Sequence, residues 1–133
     1  MAALNFKKQF VPLIESGEKR QTIRSRKRPI KEGERLYLYT GQRTKQCRKI
    51  AESICTETKD FVIWKESWTR YPTVRVSGYE INDRQILNLA IADGFSETLA
   101  FVDFFLYSPK AIEQGGIRSF TGQIIKWGML CKS

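Results

Sequence analysis

The sequence predicts an α+β domain, a small curled β-barrel with short helices packed at its sides. Three observations carry that expectation. Strand-like alternation occupies the chain as far as Tyr79-Glu80-Ile81, two helical stretches bounded by Gly and Pro follow, and one more strand-like run comes after them. At 133 residues the chain can bury one hydrophobic core and is short for two, so residues 1–133 are expected to form a single domain. No internal repeat interrupts this order.

Leu4-Asn5-Phe6 opens the chain as a short strand, and residues 7–16 read as a short helix with Phe10, Leu13 and Ile14 on one face. Pro12 lacks an amide hydrogen and so belongs in the first turn, while Gly17 can take the left-handed conformation that ends helices. The chain then enters a basic segment over residues 18–28, broken by Pro29 and Gly33. Residues 34–41 alternate, with Leu36 and Leu38 on one side and Tyr37 and Tyr39 on the other, as in a strand partly buried on both faces. A second basic loop over residues 41–49 follows. Residues 50–64 and 73–81, rich in β-branched and aromatic side chains, read as two further strands around a polar stretch that holds Pro72. Asn82 or Asp83 can cap a helix through residue 92, Gly94 can end it, Ser96 can start another, and Pro109 lies beyond that helix's end. Its stripe Leu99, Phe101, Phe104 and Phe105 is expected in the core. Gly115 and Gly116 mark a polar loop, and residues 121–130 make the last strand.

Composition excludes several chemistries. The chain has no histidine, which removes Ser-His-Asp and Cys-His catalysis and the commonest zinc ligand. Cys47, Cys55 and Cys131 form no CxxC pair, and their odd number suits reduced thiols in a cytoplasmic protein, so no metal, cofactor or disulfide is expected. The N-terminal apolar stretch is too short for a signal peptide, and no run of about 18 apolar residues exists, so no membrane association is expected. The net charge of +9 is unevenly spread. Residues 1–49 hold fourteen basic and four acidic side chains, whereas residues 50–133 hold nine and ten. A basic first third points to a polyanion, and nucleic acid is the expected partner. A solvated basic face is the alternative.

Four ordered segments resemble the ASCH domain, a relative of the PUA domain with a β-barrel fold. Gly17-Glu18-Lys19-Arg20-Gln21-Thr22-Ile23-Arg24 is similar to the signature GxKxxTxR, and Glu32-Gly33-Glu34-Arg35-Leu36-Tyr37 to the family's entry into a strand. Ala92-Asp93-Gly94-Phe95 resembles its helix junction, and Ile124-Ile125-Lys126-Trp127 its closing strand. The resemblance implies a PUA-like barrel that binds RNA or a modified nucleoside. One branch of the family is an amidohydrolase that deacylates N(4)-acetylcytidine with a lysine and a threonine of the signature and a glutamate near the helix junction. By position these are Lys19, Thr22 and Asp93, with aspartate here in place of glutamate.

Each site residue has two readings. Lys19 is a substrate contact or general base, or else a surface lysine, and Thr22 is a nucleophile or ligand contact, or else a strand residue whose hydroxyl caps a turn. Arg24 can clamp a phosphate or carbonyl with its planar fork, or pair with a carboxylate such as Asp93. Asp93 is either a turn residue between helices or an acceptor for a cytosine amine. Arg20, Arg26, Lys27, Arg28, Arg43, Lys45, Arg48 and Lys49 are the expected phosphate contacts. Tyr37, Tyr39 and Trp127 can stack bases or pack the sheet. RNA or nucleotide binding is therefore the leading function. Hydrolysis of an acylated cytidine is the alternative, ribonuclease action by lysine and tyrosine is a third, and the sequence names no protein partner.

Overall fold

The computed structural model describes residues 2–131 and is mixed α+β, mostly strand with short helices. Its residues fall into two compact units, each discontinuous in sequence. The first takes residues up to Thr22, then Ile30–Thr58, then the residues from Ile125 onward, and the second takes Ile23–Pro29 and Lys59–Ile124.

In the first unit β1 (Ala2–Phe6) buries alternate residues Ala2, Leu4 and Phe6. It runs parallel to β3 (Arg35–Thr40), with Leu4 opposite Leu38. Leu36 and Leu38 are fully buried while Tyr37 and Tyr39 are half-buried, as the alternation predicts. A 3-10 turn at Lys8–Phe10 leads into α1 (Val11–Ser16), which has Pro12 in its first turn. Gly17 closes α1 at φ 85°, a left-handed conformation that costs a residue with a Cβ about 1–2 kcal/mol. β3 pairs antiparallel with the start of β4 (Arg48–Glu66), and the register shifts between Leu38 and Tyr39. β4 starts at Arg48, so the second basic loop ends earlier than the composition implied.

In the second unit the remainder of β4 pairs with β5 (Thr73–Val76), and β5 with β6 (Tyr79–Glu80). The sequence reads 73–81 as one strand, but Ser77 and Gly78 both take positive φ, 53° and 83°, and fold it into a tight hairpin. The same device turns the expected Gly115-Gly116 loop into a hairpin between β7 (Ile112–Gln114) and β8 (Ile117–Trp127). α2 (Asp83–Ala92) is capped by Asn82, whose side chain accepts from the Gln85 amide while Gln85 returns a bond to the Asn82 amide. α3 (Thr98–Leu106) begins after Glu97, two residues beyond Ser96.

The second unit's core gathers Phe61, Ile63, Val74, Ile86, Phe101, Phe105, Phe120 and Ile124. The Phe105 ring lies 5.5 Å from Phe61 and 5.0 Å from Phe120. This cluster sets the rotation of α3: Phe101, Val102, Phe105 and Leu106 are buried, whereas Leu99 and Phe104 are exposed. The predicted stripe is corrected at those two positions, because α3 is apolar nearly all round and the packing partners select its face. β2 (Gln21–Arg24) pairs with β8. β2, β4 and β8 each contribute residues to both units.

Candidate functional site

Lys19 and Thr22 of the signature belong to the first unit, and Arg24 and Asp93 to the second. Lys19 follows the glycine stop directly. Its amide donates to the Leu13 carbonyl (2.9 Å), and its side chain is 2% exposed, with Nζ 4.8 Å from the Phe10 ring centroid and 5.8 Å from that of Phe6. The two rings thus face the Lys19 ammonium at cation–π distance. Gln21 and Thr22 are buried next to it in the chain. Trp127 is 3% exposed, with its ring edge-on to Phe6 at 5.9 Å, and it donates its backbone amide to the Arg20 carbonyl (3.0 Å). The Nε2 of Gln21 and the Nε1 of Trp127 are buried without a hydrogen-bond partner.

The expected phosphate contacts of this unit differ in availability. Arg20 is exposed, with its Nε donating to the Gly17 carbonyl (3.1 Å). Lys49 and Arg35 hold Glu52 at 2.6 Å and 2.8 Å, which lowers the Glu52 pKa and raises that of Lys49. Arg48 approaches Glu15 only to 3.8 Å. Arg43 and Lys45 are exposed on the loop after β3. That loop, with Asn5, Lys7, Lys8 and Pro12, borders a groove of about 720 Å³ where the parallel strands β1 and β3 end. Cys55 is buried and its thiol pKa is pushed up by that burial, while Cys47 and Cys131 are exposed.

In the second unit Asp93 is buried at the C-terminal end of α2, and Arg24 is half-buried at the end of β2. Burial pushes the Arg24 guanidinium down to about 10; the Asp93 carboxylate opposes that shift and Arg26 adds to it. Arg24 stays cationic at neutral pH. A cleft of about 300 Å³ is lined by Arg24, Arg26 and Lys110 together with Phe104, Phe105 and Phe120. Lys110 donates from Nζ to the Ser25 carbonyl (2.5 Å), tying the turn after α3 to the basic segment. Gly122 permits a close approach there, since a Cβ at this position would stand 2.7 Å from the Arg24 carbonyl oxygen. Arg26, Lys27 and Arg28 are exposed. The segment Ile23–Pro29 brings four basic and no acidic side chains to a unit whose other residues hold seven basic and eight acidic.

Sequence reasoning missed Lys110 and Phe104 because neither sits in a basic run or at an exposed position of the expected helix. It also missed Trp68 and Tyr71, which are 70% and 68% exposed, although a turn segment holding Trp, Arg, Tyr and Pro together was a readable signal. Among the described residues no helix is long and apolar enough to cross a membrane, and no group of three His, Cys, Asp or Glu side chains is placed to hold a metal ion. No protein family, curated protein or solved structure was found to match the chain.

Proposed function

We propose that the chain binds RNA or a nucleotide as a PUA-like domain of the ASCH type. The observation that supports this best is the cleft of the second unit, where Arg24, Arg26 and Lys110 line one cavity with the half-exposed ring of Phe104. A nucleotide needs cations for its phosphate and a flat apolar surface for its base, and this cleft offers both. Arg24 is a desolvated cation of this cleft, influenced by the Asp93 carboxylate and by the Arg26 guanidinium, and an anion there would add to the carboxylate's effect. The exposed cations Arg26, Lys27 and Arg28 extend the same positive surface. The test is single-stranded RNA binding across several salt concentrations by wild type and by the triple reversal Arg26→Glu, Lys27→Glu and Arg28→Glu. Wild-type affinity should fall steeply with salt and the triple variant should lose most of its binding. Equal affinity of the two proteins at every salt concentration overturns the reading.

Deacylation of an acylated cytidine is the second reading, and the burial of Lys19, Gln21 and Thr22 favours it. Proteins rarely bury a lysine, and Lys19 is buried here beside a buried amide and hydroxyl. Release of cytidine by wild type, lost in Lys19→Ala, Thr22→Ala and Asp93→Asn alike, is the expected result. Turnover that survives all three changes removes this reading.

A further inference from the structure

We propose that the tips of two hairpins in the second unit form a stacking platform for the unpaired bases of single-stranded RNA, with Trp68 and Tyr71 as the stacking rings. The proposal deepens the RNA reading above by naming the form of RNA. It starts from an imbalance: Trp127, which sequence reasoning offered for stacking, is buried, while Tyr79 on β6 and Trp68 and Tyr71 together on one turn are strongly exposed aromatic side chains of the second unit. Residues 67–72 join β4 to β5, and Trp68 and Tyr71 there are 70% and 68% exposed.

The turn that carries these rings is held by its backbone. The Ser67 amide donates to the Gly116 carbonyl (2.7 Å), which fastens this turn to the β7–β8 turn. Thr69 donates its amide to the Glu66 carbonyl (3.2 Å), and its hydroxyl lies 3.1 Å from both the Glu66 carbonyl and the Glu66 carboxylate. Gly116 leaves room for the Trp68 ring, because a Cβ there would come within 3.3 Å of Trp68 Cζ3. A turn held in this way loses little backbone freedom when a base stacks on its rings.

Charge selects the occupant. Three arginines of the unit lie over aromatic rings: Arg70 over Tyr71 (5.8 Å), Arg75 over Trp64 (5.2 Å) and Arg118 over Tyr107 (4.6 Å). An apolar protein face or a lipid interior would have to strip water from guanidinium groups, whereas a nucleic-acid strand brings phosphates to them and ring faces to the aromatics. Arg118 also pairs with Glu113 at 2.7 Å. A duplex hides its base faces and cannot use the platform, so the unpaired strand is the predicted ligand.

The experiment compares a 12-nucleotide single strand and the same sequence as a duplex, with the full chain as wild type, Trp68→Ala, Tyr71→Ala and Trp68→Phe. Wild type should bind the single strand more tightly and its tryptophan fluorescence should be quenched on binding. Each alanine change should weaken single-strand binding by about fivefold to a hundredfold. The slope of log affinity against log salt should stay as in wild type, because the lost group is uncharged. Trp68→Phe should restore most of the affinity. If wild type binds RNA and both alanine variants bind the single strand equally well, the platform is overturned while the RNA reading stands. If wild type binds no RNA at any salt concentration, both fall.

Discussion

Cys55 shows how burial decides the chemistry of one side chain. Its thiol is buried and its pKa is raised by desolvation, so the reactive thiolate is scarce, whereas Cys47 and Cys131 are exposed. Thiol titration of the native chain should therefore give two fast equivalents, and unfolding should release the third. Three fast equivalents would contradict the burial. Gln21 offers a second residue-scale prediction. Its buried Nε2 has no partner, and an unmade hydrogen bond in that setting costs about 1–3 kcal/mol. Gln21→Met removes the amide at similar volume and should raise stability by about 1 kcal/mol, read by denaturant unfolding. Glu52 adds a pH signature. Its bond to Lys49, aided by Arg35, lowers its pKa, so its contribution is present above the ordinary carboxylate value and is lost as pH falls through the folded one. Lys49, raised by the same bond, contributes below the ordinary lysine value and loses that contribution as pH rises. The difference in Tm between wild type and Glu52→Gln should be constant near neutrality and vanish in acid, and a difference that persists at pH 3 would exclude the linkage.

Among the elements, the strand-to-cleft contact at Gly122 is the most exacting. Gly122→Ala forces a Cβ to 2.7 Å from the Arg24 carbonyl oxygen, so β2 or β8 must shift. Overpacking of this kind costs about 1–3 kcal/mol and would move Arg24 within its cleft, so both Tm and RNA affinity should fall. Unchanged affinity at lowered Tm would separate the cleft from binding. The elements also show what was legible in the sequence. α1 was readable at both ends, because Pro12 and Gly17 act through their own backbone restrictions. The Asn82 cap was readable for the same reason. The Ser77-Gly78 turn was not, because it interrupts a run of strand-forming residues, whereas Gly115-Gly116 was readable as a loop though not as a hairpin. The face of α3 was illegible, since Leu99 and Phe104 are as apolar as the buried Phe101 and Phe105 and only Phe61 and Phe120 distinguish them. The basic segment was visible as composition, but its partner Lys110 lies 85 residues from Ser25 in sequence, beyond any local pattern.

At the scale of the whole molecule, the charge reading becomes a prediction about salt. Each phosphate neutralised on a single strand contributes a log-log slope of about −0.7, so five contacts would give about −3.5. Reversing Arg26, Lys27 and Arg28 should flatten that slope with little change in Tm, since exposed charges contribute little to stability. A steep slope kept by the triple variant would move the phosphate contacts elsewhere. The threading of the chain through its two units has a separate consequence, for synthesis on the ribosome. The second unit needs nothing beyond Ile124, whereas the first needs the residues from Ile125 onward, whose Trp127 bonds to Arg20 and whose Cys131 bridges Glu52. The unit that begins earlier in the chain is therefore the later one to have all its parts. Phe6 of its opening strand meets the Trp127 ring only after a unit that began later has already received its whole sequence.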